Sequence, residues 1–234
     1  MTKNIILTHF GSISDFSVLN KKTNIYHFPM LNIESNKLNP IILSDYEYFI
    51  FTSKNGVDSF VKLHKNSFKA IKTICFGKKL YKKMKYLGFN ISYYCENAYK
   101  QNLVEELISS KIIKNKKVIY ITGNLSDNFI EMKLKNHCHI SRKNIYTTTA
   151  VKTKNNDLEK ILNEKKNCIL IFTSPSAFDS FIKKYQIRNQ KIGVIGKTTK
   201  KHINNNNYNV DFIPKSPSYN DLCEEINKYI NELD

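Results

Sequence analysis

FTSKNGVDSF at residues 51–60 returns as FTSPSAFDSF at residues 172–181, six of the ten positions being identical. Each copy follows a short apolar run, Tyr48 to Ile50 in one case and Cys168 to Ile171 in the other. Each precedes apolar residues at helical spacing: Val57, Phe60 and Val61, or Phe178, Phe181 and Ile182. A buried run, a polar loop and an amphipathic stretch make one strand-to-helix step, and its recurrence marks the chain as an internal duplication.

The likeness continues outward. KTICFGKKLYKKMKYLGFNISYY (72–94) is matched by QKIGVIGKTTKKHINNNNYNVDFI (190–213), each reading as a strand running to Gly77 or Gly196, a basic helix, a turn and a further strand. AYKQNLVEELI (98–108) and SYNDLCEEINKYI (218–230) then read as helices behind polar starting segments. KKVIYITGNLSDNFIEMKLKNHCHI (116–140) has its counterpart at the other end of the chain, in NIILTHFGSISDFSVLNKKTNIYHF (4–28). There Leu7 to Gly11 face Ile121-Thr122-Gly123, and Ser14-Asp15 face Ser126-Asp127.

The expected fold is therefore α/β in two lobes, each a parallel sheet flanked by helices. Residues 1–30 with 151–234 form a discontinuous lobe, 37–141 form an inserted lobe, and 29–38 with 141–151 supply two hinge strands, the second within the β-branched run NIYTTTAVKT (144–153). Open parallel sheets bind ligands at the carboxyl ends of their strands. The working surface is thus expected in the cleft between the lobes, at the repeated Thr-Ser and Gly loops.

Composition narrows the class. The 234 residues hold 41% hydrophobic and 12% aromatic residues, enough to close packed cores. With 37 Lys and Arg against 20 Asp and Glu the net charge is +17. That excess suits nucleic acid, an anionic membrane surface or a polycarboxylate, and it equally suits a solvated coat on a Lys-, Asn- and Ile-rich chain. No nucleic-acid-binding motif accompanies it. The five cysteines are scattered without a C-x-x-C pair, which points to a reducing, cytoplasmic setting. The opening apolar run, Ile5-Ile6-Leu7, is too short for a secretory signal, and no run reaches membrane-span length. A monomer without membrane or nucleic-acid partners is expected.

The loops carry the chemistry. Ser174 is a helix cap with Pro175 at the first helical position, and Thr52-Ser53-Lys54-Asn55 matches Thr173-Ser174-Pro175-Ser176. Two such helix starts are either ordinary caps or sites for carboxylate or phosphate. Gly196-Lys197-Thr198-Thr199 looks like the end of a P-loop, but Lys191 stands where that motif needs glycine, so it reads as another helix start offering N–H groups and the Thr199 hydroxyl. His137-Cys138-His139 lacks a third ligand at recognisable spacing, so no metal is expected. No nucleophile elbow or carboxylate pair stands out. Tyr146, in the second hinge segment, is the candidate acid, with a buried strand tyrosine as the alternative. The residues alone also allow a non-enzymatic, two-lobed binding protein for an anionic metabolite.

The series FTSKNGV, TGN, IYTT, FTSPSA and IGKTT resembles uroporphyrinogen-III synthase along nearly the whole chain, each motif being short and their order and spacing together being specific. The resemblance implies flavodoxin-like lobes and cyclisation of hydroxymethylbilane, a linear tetrapyrrole with eight carboxylates, to uroporphyrinogen III. Water is lost and the last pyrrole ring is inverted, without a cofactor. It implies that Thr8, Thr52, Ser53, Asn55, Gly123, Asn124, Thr173, Ser174, Ser176 and the loop Gly196 to Thr199, with Lys197 and Thr198, grip the acetate and propionate groups. Tyr146 matches the family's hinge tyrosine, proton donor to the departing hydroxyl. Two positions depart from the pattern. Thr8-His9 replaces the usual Thr-Arg, removing a permanent cation, and Leu80 replaces a threonine three residues after Gly77, implying a weaker grip there.

Overall fold

Both copies of the duplicated decamer fold as the end of a strand turning into a capped helix, and the remaining elements follow in chain order. The structure is a computed structural model that describes residues 3–19, 23–65, 67–97 and 99–232. The expected lobe ends at residues 1 and 234, and Asn20, Lys21, Lys22 and Ala98 of the compared segments, lie outside the described residues. Among the described residues the strands are β1 (Lys3–Leu7), β2 (Thr23–His27), β3 (Leu31–Ser35), β4 (Tyr48–Phe51), β5 (Lys72–Phe76), β6 (Asn90–Cys95), β7 (Lys117–Gly123), β8 (His139–Ala150), β9 (Cys168–Phe172) and β10 (Lys191–Val194). The helices are α1 (Lys54–His64), α2 (Lys78–Tyr86), α3 (Lys100–Ser110), α4 (Phe129–Leu134), α5 (Asn156–Glu164), α6 (Pro175–Ile182), α7 (Lys197–Asn205) and α8 (Tyr219–Glu232).

The chain divides into two units, Met1–Asn32 with Thr149–Asp234, and Ile33–Thr148. In the first, the sheet order is β10-β9-β1-β2, with all three pairings parallel. The inner strands β1 and β9 are buried at every residue, as parallel strands covered on both faces must be. Ile6, Leu170 and Phe172 pack with Phe178 and Phe181 of α6 on one face. Ile5, Leu7, Ile169 and Ile171 pack with Leu222, Cys223 and Ile226 of α8 on the other.

The second unit carries the order β3-β8-β7-β4-β5-β6. Its pairs β8-β7, β7-β4, β4-β5 and β5-β6 are parallel. Phe49, Phe51, Ile119 and Ile121 face α1 and α2, with Phe60 between them at 5.7 Å from the Phe49 ring and 5.1 Å from that of Phe51. Ile50, Val118 and Tyr120 face α3 and α4. Numbered from β1 in one unit and from β7 in the other, both sheets run 2-1-3-4, and β6 adds a fifth position in the second unit. This is the doubly wound order whose switch point lies between positions 1 and 3.

Two elements differ from the sequence expectation. The strand expected within 209–213 is reduced to one bridge between Gly193 and Phe212. The Asp211 carboxylate accepts the Ile192 N–H at 2.7 Å and the Lys191 ammonium at 2.9 Å. A side chain thus takes the place of a ladder carbonyl, and Pro214, which has no N–H, follows closely. The segment 141–151, expected as a bare hinge strand, belongs to a longer strand that starts at His139 and pairs with β7 from Lys117 to Gly123.

The Phe212 ring fills the space beside the backbone of Gly193. A Cβ there would lie 2.3 Å from Phe212 Cζ and 2.9 Å from Ile171 Cδ1. Gly193→Ala is expected to destabilise the protein by about 1–3 kcal/mol through overpacking, read as a lower urea midpoint. Phe212→Leu in the same chain should return part of the loss. A midpoint unchanged by Gly193→Ala would refute the tight contact.

Candidate functional site

Most of the parallel strands hand over to a helix at the carboxyl edge of their sheet, which gathers the polar loops there. In the second unit β4 ends at Phe51, and Ser53 caps α1 by accepting the Gly56 N–H at 3.0 Å. The same Oγ lies 3.1 Å from the Tyr146 hydroxyl. Thr52 Oγ1 lies 2.9 Å from the Tyr120 hydroxyl, which lies 3.0 Å from Ser126 Oγ. Two adjacent loop hydroxyls are thus each held by a phenol from β7 or β8.

Tyr146 reaches this position through a break in register. Thr122 pairs with Asn144 but Gly123 pairs with Tyr146, leaving Ile145 as an extra residue. Such a bulge re-aims the side chain that follows it. Here it lays the Tyr146 ring over Gly123, where a Cβ would meet ring carbons at 2.3 and 2.4 Å. Burial pushes the Tyr146 phenol above the usual tyrosine range, against the opposing Ser53 hydrogen bond, so it is a protonated donor at neutral pH.

In the first unit Ser174 caps α6 from the end of β9, accepting the Ala177 N–H at 3.2 Å, with Pro175 at the first helical position. Ser176 Oγ lies 3.3 Å from Ser174 Oγ. Thr173 hydrogen-bonds Tyr219 at the start of α8, and burial raises the Tyr219 phenol. Gly196 caps α7 without a side-chain bond, leaving Lys197 and Thr198 exposed on the first turn.

Several residues expected to grip a ligand are engaged elsewhere. Thr8 is fully buried, and its hydroxyl donates to the Ile171 carbonyl at 2.7 Å. Asn124 clamps β8, its Nδ2 donating to the Thr148 carbonyl at 3.1 Å and its Oδ1 accepting the Thr148 N–H at 2.8 Å. Thr199 is buried at 3% exposure, and Leu80 is a core residue. Asn55 lies half-buried on the first turn of α1. Among the described residues no group of three or more His, Cys, Asp or Glu side chains is placed to hold a metal.

The sequence reading passed over Tyr120, Ser126, Tyr219, Arg142 and the surroundings of His9. His9 is 2% exposed, so it is no exposed stand-in for a cation. Its ring lies 4.7 Å from His27, 4.9 Å from Phe16 and 5.7 Å from Tyr219, and Nε2 meets the Ser12 carbonyl at 3.2 Å. Its buried Nδ1 has no partner among the described residues. Burial lowers its pKa, and nearby His27 adds to this, while the Ser12 contact and Asp15 at 3.8 Å oppose it. The alignment of Ser14-Asp15 with Ser126-Asp127 was the available signal for both loops.

A cavity of about 570 Å³ opens at the opposite, amino edge of the first unit's sheet, among Lys165, Lys166, Arg188 and Lys191. The last turn of α5 lines it through Leu162 and Asn163. A helix C-terminus carries the negative end of the dipole and works against an anion there, so the carboxyl-edge loops remain the candidate site.

A family model described as uroporphyrinogen-III synthase HemD matches residues 20–224. The fold is similar to that of the uroporphyrinogen-III synthetase from Helicobacter pylori, with a TM-score of 0.76 and 19% identity over 100% of both chains. It is also similar to a mutant uroporphyrinogen III synthase from the extremely thermophilic bacterium Thermus thermophilus, with a TM-score of 0.64 and 10% identity over 99% of this chain and 100% of the other. At these identities the structures bear on fold alone. No curated protein matches the sequence.

The buried imidazole makes a testable link to pH. Because the folded-state pKa of His9 lies below its ordinary 6.5, the unfolded chain takes up the proton first as pH falls. The stabilisation is complete above that value and is lost as pH drops through the folded-state pKa. His64, lowered likewise by burial, contributes in the same direction. His9→Asn should flatten the fall of unfolding free energy below pH 6.5, followed by urea unfolding across a pH series. A slope equal to that of the unaltered protein would remove His9 from this account.

Proposed function

The chain belongs to the uroporphyrinogen-III synthase family, and from that premise we propose how its own residues serve the family's reaction. It is an enzyme of tetrapyrrole biosynthesis that cyclises hydroxymethylbilane to uroporphyrinogen III, with loss of water and inversion of the last ring. The observation that carries this is the family match over residues 20–224.

In our reading the two units are the lobes of the enzyme, the discontinuous one and the inserted one, connected through β3 and β8. The starts of α1, α6 and α7 take the substrate's acetate and propionate carboxylates. What supports this is the shared chemistry of those starts: helix N-termini offer N–H groups and a favourable dipole to anions. Ser53 and Ser174 cap two of them, and Lys197 and Thr198 stand exposed on the third. Thr52, Asn55, Gly123, Thr173 and Ser176 belong to the same loops, whereas Thr8, Asn124 and Thr199 shape the loops from behind. Such fixed grips supply orientation, the component this reaction needs most, since unassisted closure bonds the chain's end to the free α-carbon of the last ring and leaves that ring uninverted.

Tyr146 delivers the proton to the departing hydroxyl, which leaves as water. Its support is a partly buried phenol that stays protonated at neutral pH and lies 3.1 Å from the Ser53 hydroxyl. General acid catalysis of this kind contributes typically about 10²–10⁴-fold. We place the protein in a reducing cytoplasm, acting as a monomer; all five cysteines are buried free thiols. Among the described residues no helix is long and apolar enough to cross a membrane.

The test is to supply enzymatically generated hydroxymethylbilane and separate the oxidised products by chromatography. Isomer III forming faster than spontaneous isomer I is expected. Isomer I alone from folded protein would overturn the proposal. Tyr146→Phe should lower kcat by about 100-fold or more while KM changes less than about twofold, because the phenol acts on the transition state. A Tyr146→Phe enzyme with full kcat would show that another group is the acid.

A further inference from the structure

Arg142 is not among the motifs that carry the family likeness, yet every donor of its guanidinium is used. It sits on β8 directly beside Tyr120 of β7 in the parallel register. Nη1 donates to the Asp127 carbonyl and to Glu131 Oε1, both at 2.9 Å. Nη2 donates to the Ser126 carbonyl at 2.5 Å and to the Gly123 carbonyl at 3.4 Å. Nε donates to Asn144 Oδ1 at 3.1 Å. Arginine has five N–H donors, and here they meet five acceptors, three of them carbonyls of the single loop 123–127.

That loop holds both phenols. Gly123 forms the floor under the Tyr146 ring, with no room for a Cβ. Ser126 Oγ contacts the Tyr120 hydroxyl, which contacts Thr52 beside the cap. Asp127 is paired with Lys100 at 2.7 Å, and this hydrogen bond chiefly holds its carboxyl below the usual range. Asn124 ties the loop to the backbone two residues beyond Tyr146. The Arg142 and Glu131 side chains are only 24% and 17% exposed, so the pair that anchors the loop is largely shielded from water. Shielded, multidentate arginine contacts are stronger and more directional than exposed ion pairs.

We propose that Arg142 is a positioning residue for the cyclisation: by fixing the carbonyls of Gly123, Ser126 and Asp127 it sets the floor on which Tyr146 rests, and so the aim of the phenol. The inference rests on the reading of Tyr146 as the proton donor. Arg142 acts through the loop and Tyr146, not on the substrate. Lysine cannot replace it, having three donors on one atom and no planar fork.

The experiment is a double-mutant cycle on the full-length protein, following isomer III formation and checking the fold of each variant by circular dichroism and thermal melting. Arg142→Met is expected to lower kcat by about 10–100-fold with KM altered less than about threefold, since a misplaced acid costs rate rather than binding. Arg142→Lys, which keeps the charge beside Glu131, is the variant to rely on should Arg142→Met fail to fold, and it is expected to show the same kcat-specific loss. In the Tyr146→Phe background either change should lower the residual rate less than about twofold, because the group being aimed is already gone. A full multiplicative loss in that background, or a folded Arg142→Lys enzyme with wild-type kcat, would overturn the proposal while leaving Tyr146 as the acid. Full kcat in Tyr146→Phe alone would instead overturn the reading on which it rests.

Discussion

Parallel strand pairing cannot be closed by a hairpin, so every parallel pairing in these sheets requires a crossover, and most such crossovers return through helices. The rest of the molecule follows from that constraint. Inner strands are covered on both faces and become unbroken apolar runs such as Cys168 to Phe172. Strand ends and helix starts collect on one edge, where Ser53 and Ser174 each stand at the junction. The polar groups proposed to grip the substrate are therefore produced by the same geometry that builds the core.

The two units have used this edge differently. In the second, the buried Tyr120 of β7 and the partly buried Tyr146 of β8 reach the Thr52-Ser53 loop, and a charged pair behind them holds the neighbouring turn. In the first, the equivalent Thr173 is met by a tyrosine from a helix, and the ring of His9, just after β1, packs against that of His27 at a tilt of 33°. The His9 ring is an imidazole whose protonation opposes folding. A shared scaffold thus carries hydroxyls held by phenols in one place and a buried imidazole in the other.

The strand-to-helix steps were legible because they rest on local rules: apolar runs, Ser caps and proline at the first helical turn all act within a few residues. The Thr-Ser loops could be named for the same reason, and Tyr146 from its place in the expected hinge together with the family resemblance. What escaped depends on registers and distances that no local pattern encodes. Ile145 looks like any strand isoleucine, and only pairing with β7 reveals it as the extra residue that turns Tyr146. Tyr120 sits inside an apolar run, so its hydroxyl gave no sign of meeting Thr52 and Ser126. The family resemblance offered Thr8 and Asn124 as ligand donors; the partners they meet in the fold, the Ile171 carbonyl and the Thr148 backbone, are set by contacts that no local pattern encodes. The strand missing at 209–213 failed for a related reason, its pairing being intercepted by the Asp211 side chain.

Sheet order has a further consequence when written along the chain. By position the strands run 1-2 in β1 and β2, 3-4-5 in β4 to β6, 1-2 again in β7 and β8, then 3-4 in β9 and β10, with Phe212 at the vestigial fifth place. That is two tandem copies of one five-position blueprint. Yet neither unit is built from one copy: each takes positions 1-2 from one and the later positions from the other. The chain is in effect a swapped dimer fused end to end. In the first unit the two exchanging segments meet where the Val151 N–H donates to the Met30 carbonyl at 3.0 Å, and Ser180 of α6 and Lys184 just beyond that helix brace them. A single ancestral copy that paired with a second, trading its first two strands, would already have contained every position of both sheets.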